Sequence, residues 1–163
     1  MPDEPRPLSW TEQGQAAGFD DAWHEEWWRR MEESGGNVIA AYRMRMVEVS
    51  DQRVVMLVPY QPAARQGTGV FAAGVIIQLA DVAATSACFE WLRRQEPDEA
   101  ELPFPLSVQI SVSLLRNVDH GNVIAETTLT HAGRRLMVAD SQIKDEDGHL
   151  LATMTSTHLV ARR

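Results

Sequence analysis

The 163-residue chain has a single cysteine, Cys88, and a single lysine, Lys144. One thiol cannot close a disulfide within the chain, so a packed core has to carry the fold and a reducing cytoplasm is the expected compartment. Ala87 and Phe89 flank the thiol, which favours a buried, unreactive cysteine over a nucleophile. With lysine almost gone, positive charge means arginine, the side chain suited to two-pronged contact with phosphate. Negative charge still prevails, with a formal net charge of -8, which disfavours nucleic acid and anionic lipid as partners. The histidines at 24, 120, 131, 149 and 158 show no metal-ligand spacing, and no metal is expected. A phosphate-binding glycine loop with lysine and a dinucleotide fingerprint are both missing, so no such cofactor is expected. Residues 1–5 are acidic and proline-bearing without an apolar signal region, and no apolar run reads as long enough to cross a bilayer. A soluble intracellular protein is the expectation.

What remains is an ordinary globular mixture, 44% hydrophobic and 23% charged, of a length that suits one core. Residues up to about Ser9 read as a loose leader. A helix is predicted over 20–34, opened by Asp20 and Asp21 and stopped by Gly35 and Gly36. Trp23, Trp27 and Met31 fall on one stripe of it. The simplest reading is a helix packed on its own domain, with a lid over a binding site or a subunit contact as alternatives. Strands are predicted over 38–49 and 53–59, joined at Ser50-Asp51. A glycine-bearing loop at 66–69 leads into a long apolar helix over 73–92, buried on most sides. The period then changes to two: Val108, Ile110, Val112 and Leu114 alternate with Ser107, Gln109, Ser111 and Ser113. Further strands follow over 122–130, 136–144 and 150–160, with Asp147-Gly148 as a hairpin signal. Two strands, one buried helix and four strands imply an α+β domain in which an antiparallel sheet wraps a central helix. The division expected is a leader and helix over 1–36 and a single body over 37–163.

Polar residues are few inside the apolar helix, and Gln78, Asp81 and Thr85 share one face of it. A carboxylate there is costly unless it is bonded or faces a site. Asp81 is therefore a candidate for chemistry, with a bonded structural role as the competing reading. Thr85 taken alone is more often a helix threonine bonded back to its own backbone.

The stretch 66–81, Gln-Gly-Thr-Gly-Val-Phe-Ala-Ala-Gly-Val-Ile-Ile-Gln-Leu-Ala-Asp, resembles the active-site segment of phenylacetate-type hotdog thioesterases. The runs at 113–116, 121–126, 133–136 and 145–153 match that family in place, so the resemblance spans roughly 37–160. It implies the hotdog fold and hydrolysis of an acyl-CoA thioester to free acid and coenzyme A. Asp81 would be the nucleophile or general base, Thr85 would hold the water or the carboxylate, and Gln66 would lie near the thioester. Ala73, at the helix start, would direct its backbone N–H at the thioester oxygen, where a helix has unpaired donors and a positive dipole end. Phe71, Ala72 and Gly74 would border the substrate. Arg116, Arg134 and Arg135 are candidates for the coenzyme A phosphates, although solvated arginines at strand ends read the same way. Phe71, Phe89 and Trp91 are candidates for the acyl pocket. The family's histidine is Ala72 here and the first of its glycines is Ala73. That departure keeps open a protein that binds an acyl-CoA without cleaving it. A hydratase on the same fold ranks last, because no histidine precedes Asp81 in this stretch. The resemblance also implies a homodimer or a dimer of dimers, with Gln66 and Ala73 of one copy facing Asp81 and Thr85 of the other.

Overall fold

The computed structural model describes residues 6–35, 37–99 and 101–161, so the acidic leader at 1–5 and Gly36 lie outside the described residues. Three short helices come first, α1 (Trp10–Ala16), α2 (Asp21–Glu33) and α3 (Val38–Ala41). The strands β1 (Arg45–Val49) and β2 (Arg53–Pro59) precede the long helix α4 (Ala73–Gln95). After it come β3 (Pro105–Leu114), β4 (Asn122–Ala132), β5 (Leu136–Lys144) and β6 (Leu150–Val160). Among the described residues these six strands make one antiparallel sheet in the order β1-β2-β4-β5-β6-β3, wrapped on α4 in the hotdog fold.

The apolar composition of α4 has its reason in that sheet. Val75, Ile76, Leu79, Ala80, Ala83, Ala84 and Ala87 pack against Val54, Met56 and Val58 of β2 and against Ala125, Ala139 and Met154 further along. Small alanines let the strands close in on the helix axis. By length and hydropathy α4 would reach across a bilayer, which corrects the expectation that no apolar run is long enough. Its most apolar stretch is 56% buried inside the protein, with the sheet as its apolar surroundings.

Two of the early helices differ from the sequence expectation. α1 follows the stretch read as a loose leader and was not expected, yet Ser9 and Glu12 form a reciprocal capping box that nucleates it. Trp10 then packs on Val47, Val55, Leu57 and Ile124, a second apolar cluster on the sheet face away from α4. That is why β2 is buried on both faces. Gly14 permits the approach: a Cβ there would lie 3.1 Å from the Met46 carbonyl oxygen. Residues 38–41 were expected to begin a strand because Val38 and Ile39 are β-branched. Instead the Asn37 side chain accepts the Ile39 N–H at 2.8 Å and starts a helical turn.

The two sheet edges are treated differently. Along β1, the Met46 N–H donates to His24 Nε2 at 2.9 Å, and the Trp28 indole N–H donates to the Met44 carbonyl at 2.8 Å. Both side chains come from α2, which covers this edge. The β3 edge is open, with Leu106, Val108 and Ile110 exposed along it. An uncovered apolar edge is a surface for pairing.

Candidate active site

α2 lies across the sheet-wrapped helix and leaves a cavity of about 710 Å³ beneath it. Trp23, Trp27 and Met31 roof this cavity, Val38 and Ile39 close one side, and Asp81, Thr85 and Phe89 of α4 form the floor. The tryptophan stripe thus faces a binding space, while His24 and Trp28 on the neighbouring stripe hold the helix to β1. Asp20 fixes the start of α2 by accepting the Trp23 N–H at 2.8 Å.

Two carboxylates line the cavity. Glu90 is committed to Arg93 and Arg94 at 2.9 and 2.7 Å, and these partners hold its carboxyl below the usual range. Asp81 has no cationic partner among the described residues. The Ser107 hydroxyl donates to its Oδ1 at 2.5 Å. Ser107 in turn lies 3.3 Å from Nδ1 of His158, and the His158 Nε2 lies 2.9 Å from the Ser156 hydroxyl. His158 and Ser156 are fully buried. Burial holds the imidazole below its ordinary pKa, and the negative charge of Asp81 pulls the other way.

A defect in the β3–β6 pairing creates this row. Ser107 pairs with His158 and Ile110 with Ser156, so three steps on β3 match two on β6. The extra residue at Val108 is a β-bulge, and it moves Ser107 onto the inner face with His158. Strict alternation had grouped Ser107 with Gln109, Ser111 and Ser113. Sequence reasoning therefore missed Ser107, His158 and Ser156 as site residues. The available signal was His158 sharing one parity with buried Met154, Ser156 and Val160.

The structure brings Asp81 and Thr85 together on the cavity floor and places the other candidates elsewhere in the protomer. Ala73 opens α4 with Ala72 as its N-cap, and Ala72 offers no side-chain cap hydrogen bond. Eight residues separate Ala73 from Asp81, about 12 Å along the helix, so one copy cannot apply both to one carbonyl. Gln66 is exposed in the loop before α4 and its amide donates to Thr68 at 2.9 Å. Gly74 is exposed, with open space where a Cβ would stand. Phe71 is wholly buried against Tyr60, and Trp91 packs near Cys88 and Leu92, so of the three aromatic candidates only Phe89 lines the cavity. Arg116 bonds Leu151 at the start of β6 and Arg135 bonds Val160 at its end. Nine residues of extended chain put them about 30 Å apart, so within one copy they cannot grip the same phosphate.

Cys88 is buried, and burial pushes its thiol up to about 12, in keeping with an inert residue. Asp145, Asp147 and His149 do converge in the β5–β6 hairpin, with ligand-type atoms within 4.8 Å of one another, although their spacing had not suggested it. Asp145 accepts the His149 N–H at 2.8 Å there, which closes the turn.

Comparison with known proteins agrees with this architecture. Residues 68–152 match the family model of the thioesterase superfamily, just over half of the chain. A Deinococcus radiodurans protein whose name assigns it to the esterases is 30% identical over 113 residues, covering 69% of this chain and 67% of its own length. Among solved structures, a Pseudomonas aeruginosa thioesterase superposes with a TM-score of 0.72 at 17% identity, over 83% of this chain and 92% of that one. A Streptococcus mutans protein solved with acetyl-CoA bound superposes at 0.64 and 16% identity, over 74% and 90%. Sequence match and fold lead to one conclusion: the chain belongs to the hotdog-fold thioesterase superfamily.

Proposed function

We propose that this protein hydrolyses an acyl-CoA thioester, with Asp81 as nucleophile or general base at the floor of the cavity and a second copy supplying the Ala73 N–H that polarises the carbonyl. The observation that carries this reading is Asp81 itself: a carboxylate without a cationic partner among the described residues, at the floor of a largely apolar cavity. Such a group is available to attack a carbonyl or take a proton from water. The separation of Asp81 from Ala73 along α4 supports a site shared between two copies. The open β3 edge, with Leu106 and Ile110 exposed, suits that pairing. Gln66 and Thr85 would complete the site from opposite copies.

The acyl group would lie beneath α2. Trp23, Trp27, Met31, Ile39 and Phe89 offer it aromatic and aliphatic walls, and the one charged residue besides Asp81, Glu90, is already neutralised by arginine. An uncharged aryl or mid-length aliphatic acyl group fits that lining. This supports placing the chain near the phenylacetate-type branch that residues 66–81 resemble. A cytoplasmic setting, with Cys88 reduced, belongs to the same proposal.

Ala72 favours a second reading, an acyl-CoA-binding protein without turnover, because no side chain there polarises the thioester. One experiment separates them. Purified protein is assayed against aryl-, short- and long-chain acyl-CoAs for release of free thiol. Hydrolysis that falls at least a hundredfold in Asp81→Asn, with binding of a non-hydrolysable analogue unchanged, supports catalysis. Binding with no thiol release from any substrate supports the second reading.

A further inference from the structure

His158 is a wholly buried histidine whose polar partners are two serines, one of which reaches Asp81. We infer that His158 is a positioning residue for the reaction: it sets the direction of the Ser107 hydroxyl and, through it, the orientation of the Asp81 carboxylate. The inference rests on the reading of Asp81 as the reacting acid.

Donor and acceptor accounting leads to one arrangement. An ionised Asp81 only accepts hydrogen bonds, so at 2.5 Å from Oδ1 the single Ser107 proton is directed at the carboxylate. Ser107 can then only accept from His158, which places the imidazole proton on Nδ1. A neutral ring with that proton has a lone pair on Nε2, which accepts the Ser156 hydroxyl at 2.9 Å. Each donor in the row therefore points toward Asp81. Desolvation of the buried ring favours the neutral form that the row requires.

The opposite tautomer would reverse the row. With the proton on Nε2, Nδ1 would compete for the Ser107 proton and Asp81 would lose its donor. The inferred order pins Oδ1 and leaves Oδ2 to act on the thioester or on a water. Pinning of this kind is how a reacting group is kept in its productive geometry without being consumed. The neighbouring ionisable groups on α4 do not compete for this role: Glu90 is paired with Arg93 and Arg94, and the Cys88 thiol is neutral.

Two measurements on the full-length protein test the inference. The first is the tautomer of His158 from ring nitrogen chemical shifts in ¹⁵N-labelled protein, where a neutral ring protonated on Nδ1 is expected. A ring protonated on Nε2 overturns the proposal and needs no variant that must fold. The second is a cycle of Ser107→Ala, His158→Phe and the double variant, read as kcat and KM with the best acyl-CoA. Each single change is expected to lower kcat about tenfold with KM within about twofold, the scale of one hydrogen bond to a charged group. The double variant should match Ser107→Ala alone, because His158 acts through that hydroxyl. Ser107→Thr should retain most of the activity. If His158→Phe costs the same with and without Ser107, His158 is structural and the proposal fails. If Asp81→Asn retains full hydrolysis, the assignment of the acid fails and this inference with it. If Asp81→Asn is inactive and the cycle is additive, the inference alone fails.

Discussion

Acidification should loosen the roof of the cavity, because His24 is built into the structure as a neutral ring. It is 1% exposed, its Nε2 accepts the Met46 N–H, and its Nδ1 faces the Asp20 carbonyl at 2.7 Å. A protonated ring cannot accept from Met46. Burial is the main cause that lowers its pKa; nearby Arg45 acts in the same direction, and the Asp20 carbonyl and Asp21 oppose it. His158 is lowered as well, again first by burial. Both folded values lie below the unfolded one near 6.5, so the unfolded chain takes up protons first as the pH falls. Stability is complete above the unfolded value and is lost toward the folded values. Each histidine contributes a slope of up to about 1.4 kcal/mol per pH unit in that window, so the pair approaches about 2.7. For a domain of this size that is a drop in Tm of roughly 5–10 °C per unit. His120 is exposed and raised by Asp119, so it acts in the opposite sense. Calorimetry between pH 7 and 5, above the range where carboxylates titrate, measures the slope. His24→Gln, whose amide oxygen can accept from Met46, should about halve it. A Tm that stays level or rises on acidification would refute the reasoning.

Three further outcomes are expected. Trp27→Ala should enlarge the cavity and move the best substrate toward acyl groups longer by a few methylenes, each worth about 0.8 kcal/mol when buried, as seen in kcat/KM across a chain-length series. Ile110→Glu on the open β3 edge should leave the fold intact by circular dichroism, weaken self-association at least a hundredfold in sedimentation, and take the activity with it. Ala72→His, at the N-cap of α4, should leave hydrolysis unchanged or raise it in the thiol-release assay, and a large loss would show that alanine is required there.

Local pattern determined most of this fold, because element type follows from side-chain period, and period is written in neighbouring residues. The all-round apolar run of α4, a strand at β3, the Ser50-Asp51 turn and the Asp147-Gly148 hairpin all stand where the sequence places them. Asp81 could be picked out as a carboxylate within the apolar part of the helix for the same reason. α1 escaped notice because seven residues hold too little periodicity, although Ser9 and Glu12 carried its capping signal. At 38–41 an Asn37 cap outweighed β-branched propensity, a competition between two local terms that sequence alone does not weigh. Tertiary structure decided the rest. Trp23 and Trp27 became a roof only because His24 and Trp28 tie α2 to the edge of β1. Ser107 faces Asp81 only because a bulge at Val108 reverses its parity against β6, and His158 joins the site only through that pairing. A strand's alternation is local, but its register against a partner 51 residues away is fixed by the pairing of the whole sheet.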